Sequence, residues 1–134
     1  MFLNDLERGN KKRFLDICVH AAMSDGNFVK EEKEMMAAYC REMNIPEYIP
    51  EENESLETIL NNFVNNSSDV ERKIVLTEIL GLVKADNAYT EKEKEFMEKL
   101  AAKMCIEAGV LDKINSLLDI YNLVCKELFT TIVK

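Results

Sequence analysis

The 134-residue chain has few of the residues that interrupt helices and few that carry enzyme chemistry. It contains four glycines, two prolines, one histidine and no tryptophan. The scarcity of glycine and proline, beside plentiful Leu, Glu, Lys, Met and Ala, favours helix throughout. The single histidine, His20, leaves no Ser-His-Asp or Cys-His spacing to test, and there is no glycine-rich phosphate loop. The composition therefore predicts a helical protein that is not an enzyme.

Long apolar runs and paired cysteine motifs are also missing. No run approaches the roughly 18 apolar residues that a membrane span needs, and residues 1–13 lack the apolar core of a signal peptide. The four cysteines form no CxxC motif and are interpreted as buried free thiols in a reducing compartment: Cys18, Cys40, Cys105 and Cys125. We therefore expect a cytoplasmic protein with no membrane association.

Basic residues are outnumbered by acidic ones, which gives a net charge of −8 and a pI near 4.8. Nonspecific binding to nucleic acid or to anionic membranes needs a basic face, so both are excluded as expected partners. A basic patch on a partner protein, or a cation, fits this charge.

Two segments of the chain resemble each other. Residues 25–45 read DGNFVKEEKEMMAAYCREMNI and residues 86–106 read DNAYTEKEKEFMEKLAAKMCI, at an offset of 86 − 25 = 61. Seven of the 21 aligned positions are identical, whereas chance gives roughly one or two, so an internal duplication is predicted. Each copy has a turn opened by Asp, an aromatic residue (Phe28 or Tyr89) and an acidic amphipathic helix.

The spacing of apolar residues predicts six or seven helices and no sheet. Capping boxes at Ser68–Glu71 and Thr90–Glu93 mark two helix starts. The predicted segments are residues 2–8, 10–24, 30–43, 54–65, 68–84, 90–104 and 110–133. We expect one all-α domain over residues 1–134, built from a duplicated three-helix unit (about 10–65 and 71–133) in a pseudo-two-fold arrangement. The long last helix has apolar positions on more than one side, which indicates a possible homodimer.

The segments AAMSDGNFVKEEKEMM and VKADNAYTEKEKEFM resemble the paired half-motifs of the tellurite-resistance TerB-like family, small-x-x-D-G-x-hydrophobic-x-x-x-E. A related all-helical domain precedes the J domain in DjlA-type co-chaperones. The resemblance covers residues 12–133 and implies an all-helical fold with both acidic turns on one surface. It also implies a link to stress and tellurite resistance. This chain departs from the pattern at Asn87, which replaces Gly, and it lacks the HPD tripeptide of J domains because Ala21 follows His20.

The resemblance also implies a metal site at four acidic residues: Asp25, Glu32, Asp86 and Glu93. Their carboxylates would supply oxygen ligands to a divalent cation, although the spacing is not that of an EF-hand loop. The alternative, which we favour, is structural capping. Glu32 and Glu93 occupy the third helical position, where Glu accepts a free backbone N–H, and a helix N-terminus opposes a bound cation.

Two functions remain open at this stage. The first is a noncatalytic cytoplasmic TerB-like domain that binds a partner protein and is linked to a stress response. The alternative is a metal-ion-binding stress or tellurite-resistance-type protein that uses the acidic turn residues.

Overall fold

The computed structural model describes residues 1–22, 30–47, 54–84 and 89–134, with all of their side chains except those of residues 22 and 30–32. The described chain contains helices and no strand, so the predicted all-α fold is confirmed. The predicted lead-in helix is only a 3₁₀ turn, Leu3–Asp5. The six α-helices are α1 (Arg8–Ala22), α2 (Lys30–Glu42), α3 (Leu56–Asn65), α4 (Asp69–Val83), α5 (Glu91–Lys103) and α6 (Ala108–Val133).

Both predicted capping boxes open helices. At the start of α4, Ser68 Oγ accepts the backbone N–H of Glu71, and the Glu71 carboxylate accepts the backbone N–H of Ser68. Thr90 and Glu93 make the same reciprocal pair at α5. These bonds satisfy backbone donors that have no partner inside the helix, which is why the two starts were readable from sequence.

The helices α2 and α5 end in the same way. Asn44 and Cys105 follow them with φ angles of 58° and 59°, in the left-handed region. The next residues, Ile45 and Ile106, each donate a backbone N–H to the carbonyl five residues earlier, at 3.1 and 2.9 Å. This is the Schellman arrangement, which satisfies the last carbonyls of a helix.

The helix bounds repeat at the offset found in the sequence. The bounds of α4 and α1 differ by 69 − 8 = 61 and 83 − 22 = 61, and those of α5 and α2 by 91 − 30 = 61 and 103 − 42 = 61. The third pair departs from the pattern, because α3 has 10 residues and α6 has 26. The bounds agree with a doubled unit through two helices, whereas the pseudo-two-fold arrangement and the half-repeat limits stay predictions.

The six helices and the N-terminal turn enclose a hydrophobic core in which α1 packs against α3 and α4. Its largest fully buried side chains are Phe14, Phe63, Leu3, Leu15, Ile17, Met36, Met43, Leu76, Ile79, Leu80, Leu82 and Met97. The last helix packs against the core over only a small part of its length. Only Leu111 is buried, and every residue from Asp119 onward is exposed, because α4 and α5 reach only the first turns of α6.

The prediction of four buried thiols is half right. Cys18 and Cys40 are buried, whereas Cys105 and Cys125 are exposed, and none of these four described residues forms a disulfide. Cys105 has the left-handed backbone conformation at the end of α5. Cys125 lies in the part of α6 that extends beyond the other helices, which we call the body. In the described part of the chain, no helix combines the length and apolar character that a membrane crossing requires.

Candidate functional site: an acidic groove between α5 and α6

The structure describes one of the four predicted metal ligands in full. Asp25 and Asp86 lie outside the described residues, and so does the side chain of Glu32, whose backbone is in the first turn of α2. Glu93 is 4% exposed, and its carboxylate accepts the backbone N–H of Thr90 at 2.9 Å. The capping role is therefore observed for Glu93, while the convergence of the two acidic turns stays a prediction.

No group of three or more His, Cys, Asp or Glu side chains is arranged to hold a metal ion among the described residues. Two carboxylates, Glu42 and Glu78, do converge, and they bind the amino group of Met1 at 2.8 and 2.7 Å. Burial disfavours the charged amine, but the hydrogen bonds to both carboxylates outweigh it and raise its pKa. This pair joins the N-terminus to α2 and α4.

Charged side chains of both signs surround Tyr89, which precedes α5. Burial, together with the charges of Glu98, Glu93 and Asp112, raises the pKa of its phenol to about 12. Two lysine ammonium groups also approach the ring, at 5.5 and 5.7 Å from its centroid: Lys84 and Lys94. The carboxylates around Tyr89 belong to α5 and to the first turn and a half of α6, so the local field comes from both helices.

Between these helices lies a cavity of about 360 Å³, which we call the acidic groove. Glu98 and Asp112 are exposed at its rim together with Ala102 and Ala108, and its floor is formed by buried apolar side chains: Ala101, Ile106 and Leu111. Glu95 extends the negative charge along the same face of α5, three residues before Glu98, whereas Glu91, four residues before Glu95, is paired with Lys94 at 3.3 Å. An apolar floor with carboxylates at its edge matches a Lys or Arg side chain, whose alkyl stem packs while its charged head meets the acids.

Sequence reasoning missed a second groove, between α1 and α3. It has a volume of about 450 Å³, and its charged lining residues are Arg8, Lys12, Arg13, Asp16 and Glu54. Burial and the charge of Glu54 raise the pKa of Asp16, while Lys12 opposes that shift. The run Lys11-Lys12-Arg13 was the available signal, but a net charge averaged over the chain concealed it. Because two carboxylates face three cations, the groove has mixed charge.

The chain's only histidine joins helices. The Nε2 atom of His20 donates to the carbonyl of Glu54 at 3.1 Å, which connects α1 to the residues just before α3. This position, half-buried at the flank of α1, agrees with its expected place away from the inner stripe.

The helix order and packing define an all-α domain of TerB-like fold, as the sequence resemblance implied. The chain is similar to the crystal structure of a tellurite resistance protein from Nostoc punctiforme PCC 73102, with a TM-score of 0.73. The match covers 92% of this chain and 80% of that chain at 18% sequence identity, so it shows the fold alone. No protein-family model and no curated protein matches the sequence.

Proposed function

We propose that this chain is a noncatalytic TerB-like domain of the cytoplasm that binds a partner protein through the acidic groove, as part of a stress response. The observation that carries the proposal is the groove itself, where Glu98 and Asp112 border an apolar floor on a chain of net charge −8. The fold similarity to a tellurite resistance protein supports the link to stress.

The groove favours a partner that presents Lys or Arg beside apolar residues. The long-range electric field of an acidic chain attracts such a surface and accelerates association. The apolar floor then stabilises the complex, because apolar surface of both proteins is removed from water. Charged groups at the rim set specificity, because a partner with acidic residues at the same place is repelled.

The metal-binding alternative receives less support. Of its four residues, Glu93 is the one whose side chain is described, and it accepts a backbone N–H in the first turn of α5. The partial positive charge of a helix N-terminus stabilises such a carboxylate and opposes a cation beside it. Partner binding is therefore the function that we propose.

Charge reversal in the groove tests the proposal. The tagged chain is used to recover partners from an extract of its source cells, and bound proteins are identified by mass spectrometry. The variant Glu98→Lys/Asp112→Lys should weaken binding of the specific partner at least about tenfold, because two charges at the rim of the groove change sign. Glu7→Lys/Glu57→Lys is the matched control, because it changes the net charge equally at exposed positions outside the groove. Equal recovery by both variants would show that the groove is not the binding surface.

A further inference from the structure

The second half of α6 leaves the body of the protein as a bare helix. Residues 119–134, which we call the overhang, are exposed on every side; at about 1.5 Å per residue they extend for roughly 24 Å. Eight of their large hydrophobic side chains are 51–73% exposed. They are Ile120, Tyr121, Leu123, Val124, Leu128, Phe129, Ile132 and Val133. Such a helix is not stable in water by its own propensity and needs an apolar face to be covered.

The apolar positions of α6 follow a seven-residue repeat. Alternating steps of three and four connect Leu111, Ile114, Leu118, Tyr121, Cys125, Leu128 and Ile132, which we call the seam. A repeat averaging 3.5 residues is the pattern of a two-helix coiled coil. The first three seam residues are buried or pack against the core, whereas the last four lie on the overhang. The stripe that docks α6 on its own body thus continues past the end of that body.

The flanks of the seam carry no charge. The positions beside it on the overhang are Asn122, Val124, Phe129 and Thr131, and the charged residues lie on the outer face: Asp119, Lys126, Glu127 and Lys134. These four cancel (2 − 2 = 0), although the whole chain has a net charge of −8. Two copies of this acidic chain therefore meet along the seam without the like-charge repulsion that the rest of the surface would exert.

We propose that the overhang is a dimerisation element, on which α6 of a second copy of this chain packs in the antiparallel direction. With the two-fold axis at Cys125, Leu118 faces Ile132 of the other copy, and Tyr121 faces Leu128. Every layer of the seam is then apolar in both copies. A parallel pair is excluded sterically, because each body already covers the first part of its own seam and the two bodies would meet at the same end.

The amount of apolar surface matches this occupant. Five of these side chains lie on the seam or its flanks and are at least half exposed: Tyr121, Val124, Leu128, Phe129 and Ile132. At roughly 100 Å² apiece they offer on the order of 500 Å² per copy, or about 1,000 Å² for the pair, which reaches the lower limit of a specific interface. At the root of the overhang, a cavity of about 340 Å³ lined by Met1, Thr77, Ile114, Leu117, Leu118 and Tyr121 is placed to receive the end of the partner's helix.

Sedimentation equilibrium under reducing conditions, from about 1 to 500 μM, tests the assembly. The wild-type chain should have twice its monomer mass of 15.4 kDa. Leu128→Glu puts a charge in the seam and should raise the dimer dissociation constant at least about 100-fold. Leu123→Glu makes the same change on the outer face of the overhang, at the same 58% exposure, and should leave the dimer intact. Circular dichroism of both variants verifies that they fold.

Cysteine cross-linking with diamide as oxidant tests the geometry. Wild type and Cys105→Ser should form a disulfide dimer, and Cys125→Ser should not. When both exposed cysteines are replaced by Ser, a mixture of Tyr121→Cys and Leu128→Cys chains should cross-link to each other, while neither variant should cross-link alone.

A monomer at the highest concentration would overturn the proposal, and this is the result expected if a different protein covers the overhang. Equal dissociation constants for Leu123→Glu and Leu128→Glu would overturn it too, as would cross-linking of Tyr121→Cys or Leu128→Cys alone. The proposal concerns a surface apart from the acidic groove, so its failure leaves the proposed partner binding untouched.

Discussion

Replacing Glu71 should destabilise the protein more than the loss of a helix cap can explain. This carboxylate is 8% exposed and accepts three hydrogen bonds. They come from the backbone N–H of Ser68 at 3.1 Å, the backbone N–H of Glu7 at 3.0 Å and the side-chain amide of Asn10 at 3.0 Å. Glu71 therefore both caps α4 and attaches the start of α1 to it.

The expected size follows from the donors left behind. Glu71→Ala leaves the two backbone N–H groups without this acceptor, while Asn10 retains its bond to the Asn66 carbonyl at 3.0 Å. A hydrogen bond to a charged group contributes about 1.5–3 kcal/mol, so the loss of these bonds should lower the free energy of unfolding by roughly 3 kcal/mol. Ser68→Ala removes the hydroxyl cap and leaves the carboxylate in place, and it should cost about 1 kcal/mol.

Urea denaturation measures the difference. If the unfolding free energy falls by about 1.5 kcal/mol per molar of urea, the urea concentration at the midpoint of unfolding should fall by roughly 2 M for Glu71→Ala and by about 0.7 M for Ser68→Ala. Equal midpoints for the two variants would refute the claim that Glu71 attaches α1 to α4.

Acid titration gives a second test of the same carboxylate. Burial opposes its charged form, but the hydrogen bonds from Asn10, Glu7 and Ser68 together outweigh that effect and lower the pKa of Glu71. Its contribution is therefore complete above the unfolded-state pKa of about 4.3 and is lost as the pH falls through the lower native value. The stability gap between wild type and Glu71→Gln should narrow in that acidic range, and a gap independent of pH would contradict the argument.

Three further predictions follow from other parts of the chain. A Cβ built on Gly81, in the last turn of α4, meets no heavy atom within 4 Å. Gly81→Ala should therefore raise the unfolding free energy, measured by urea denaturation, by about 0.5–1 kcal/mol. A lower unfolding free energy would mean that the site is crowded. Cys18 and Cys40 are buried, and burial raises the pKa of the Cys18 thiol. Neither thiol should react with Ellman's reagent until the chain unfolds. More than two reactive thiols in the native state would contradict their burial. If the acidic turns act as caps, the melting temperature should be the same in Ca²⁺, Mg²⁺, Mn²⁺ or Zn²⁺ as in EDTA. Asp25→Asn and Asp86→Asn should then each lower the unfolding free energy by about 0.5–2 kcal/mol in either buffer. A metal-dependent rise of several degrees in the melting temperature that both variants abolish would establish a cation site instead.

The sequence predicted helices well where the determinants are local. The capping boxes at Ser68 and Thr90 involve atoms three residues apart, and both form as predicted. The predicted start of α3 is Glu54, but the helix begins at Leu56, after the N-cap Ser55, whose hydroxyl accepts the N–H of Thr58. The prediction is wrong by two residues, and the cap that sets the true start is again a local hydrogen bond.

Burial was harder to predict, because it depends on which helices stop where. The apolar pattern of α6 is continuous from Leu111 to Ile132, and nothing in that pattern reveals that the body ends near Leu118. Similarly, the acidic groove combines Glu98 with Asp112, which lie on different helices, and only the packing of α5 against α6 brings them to one cavity. The bond between Asn10 and Glu71 spans 61 positions and carries no local signal.

That bond has a consequence for how the chain arose, if the predicted doubling is right. Asn10 and Glu71 are equivalent positions of the two halves, since 71 − 10 = 61, and they touch each other across the contact of α1 with α4. In an ancestor made of two separate identical subunits, this position would have met its own copy, so two carboxylates could not have shared it without repulsion. Joining the genes would have freed the two positions to diverge into an unlike donor and acceptor pair, which a single position that meets its own copy cannot supply.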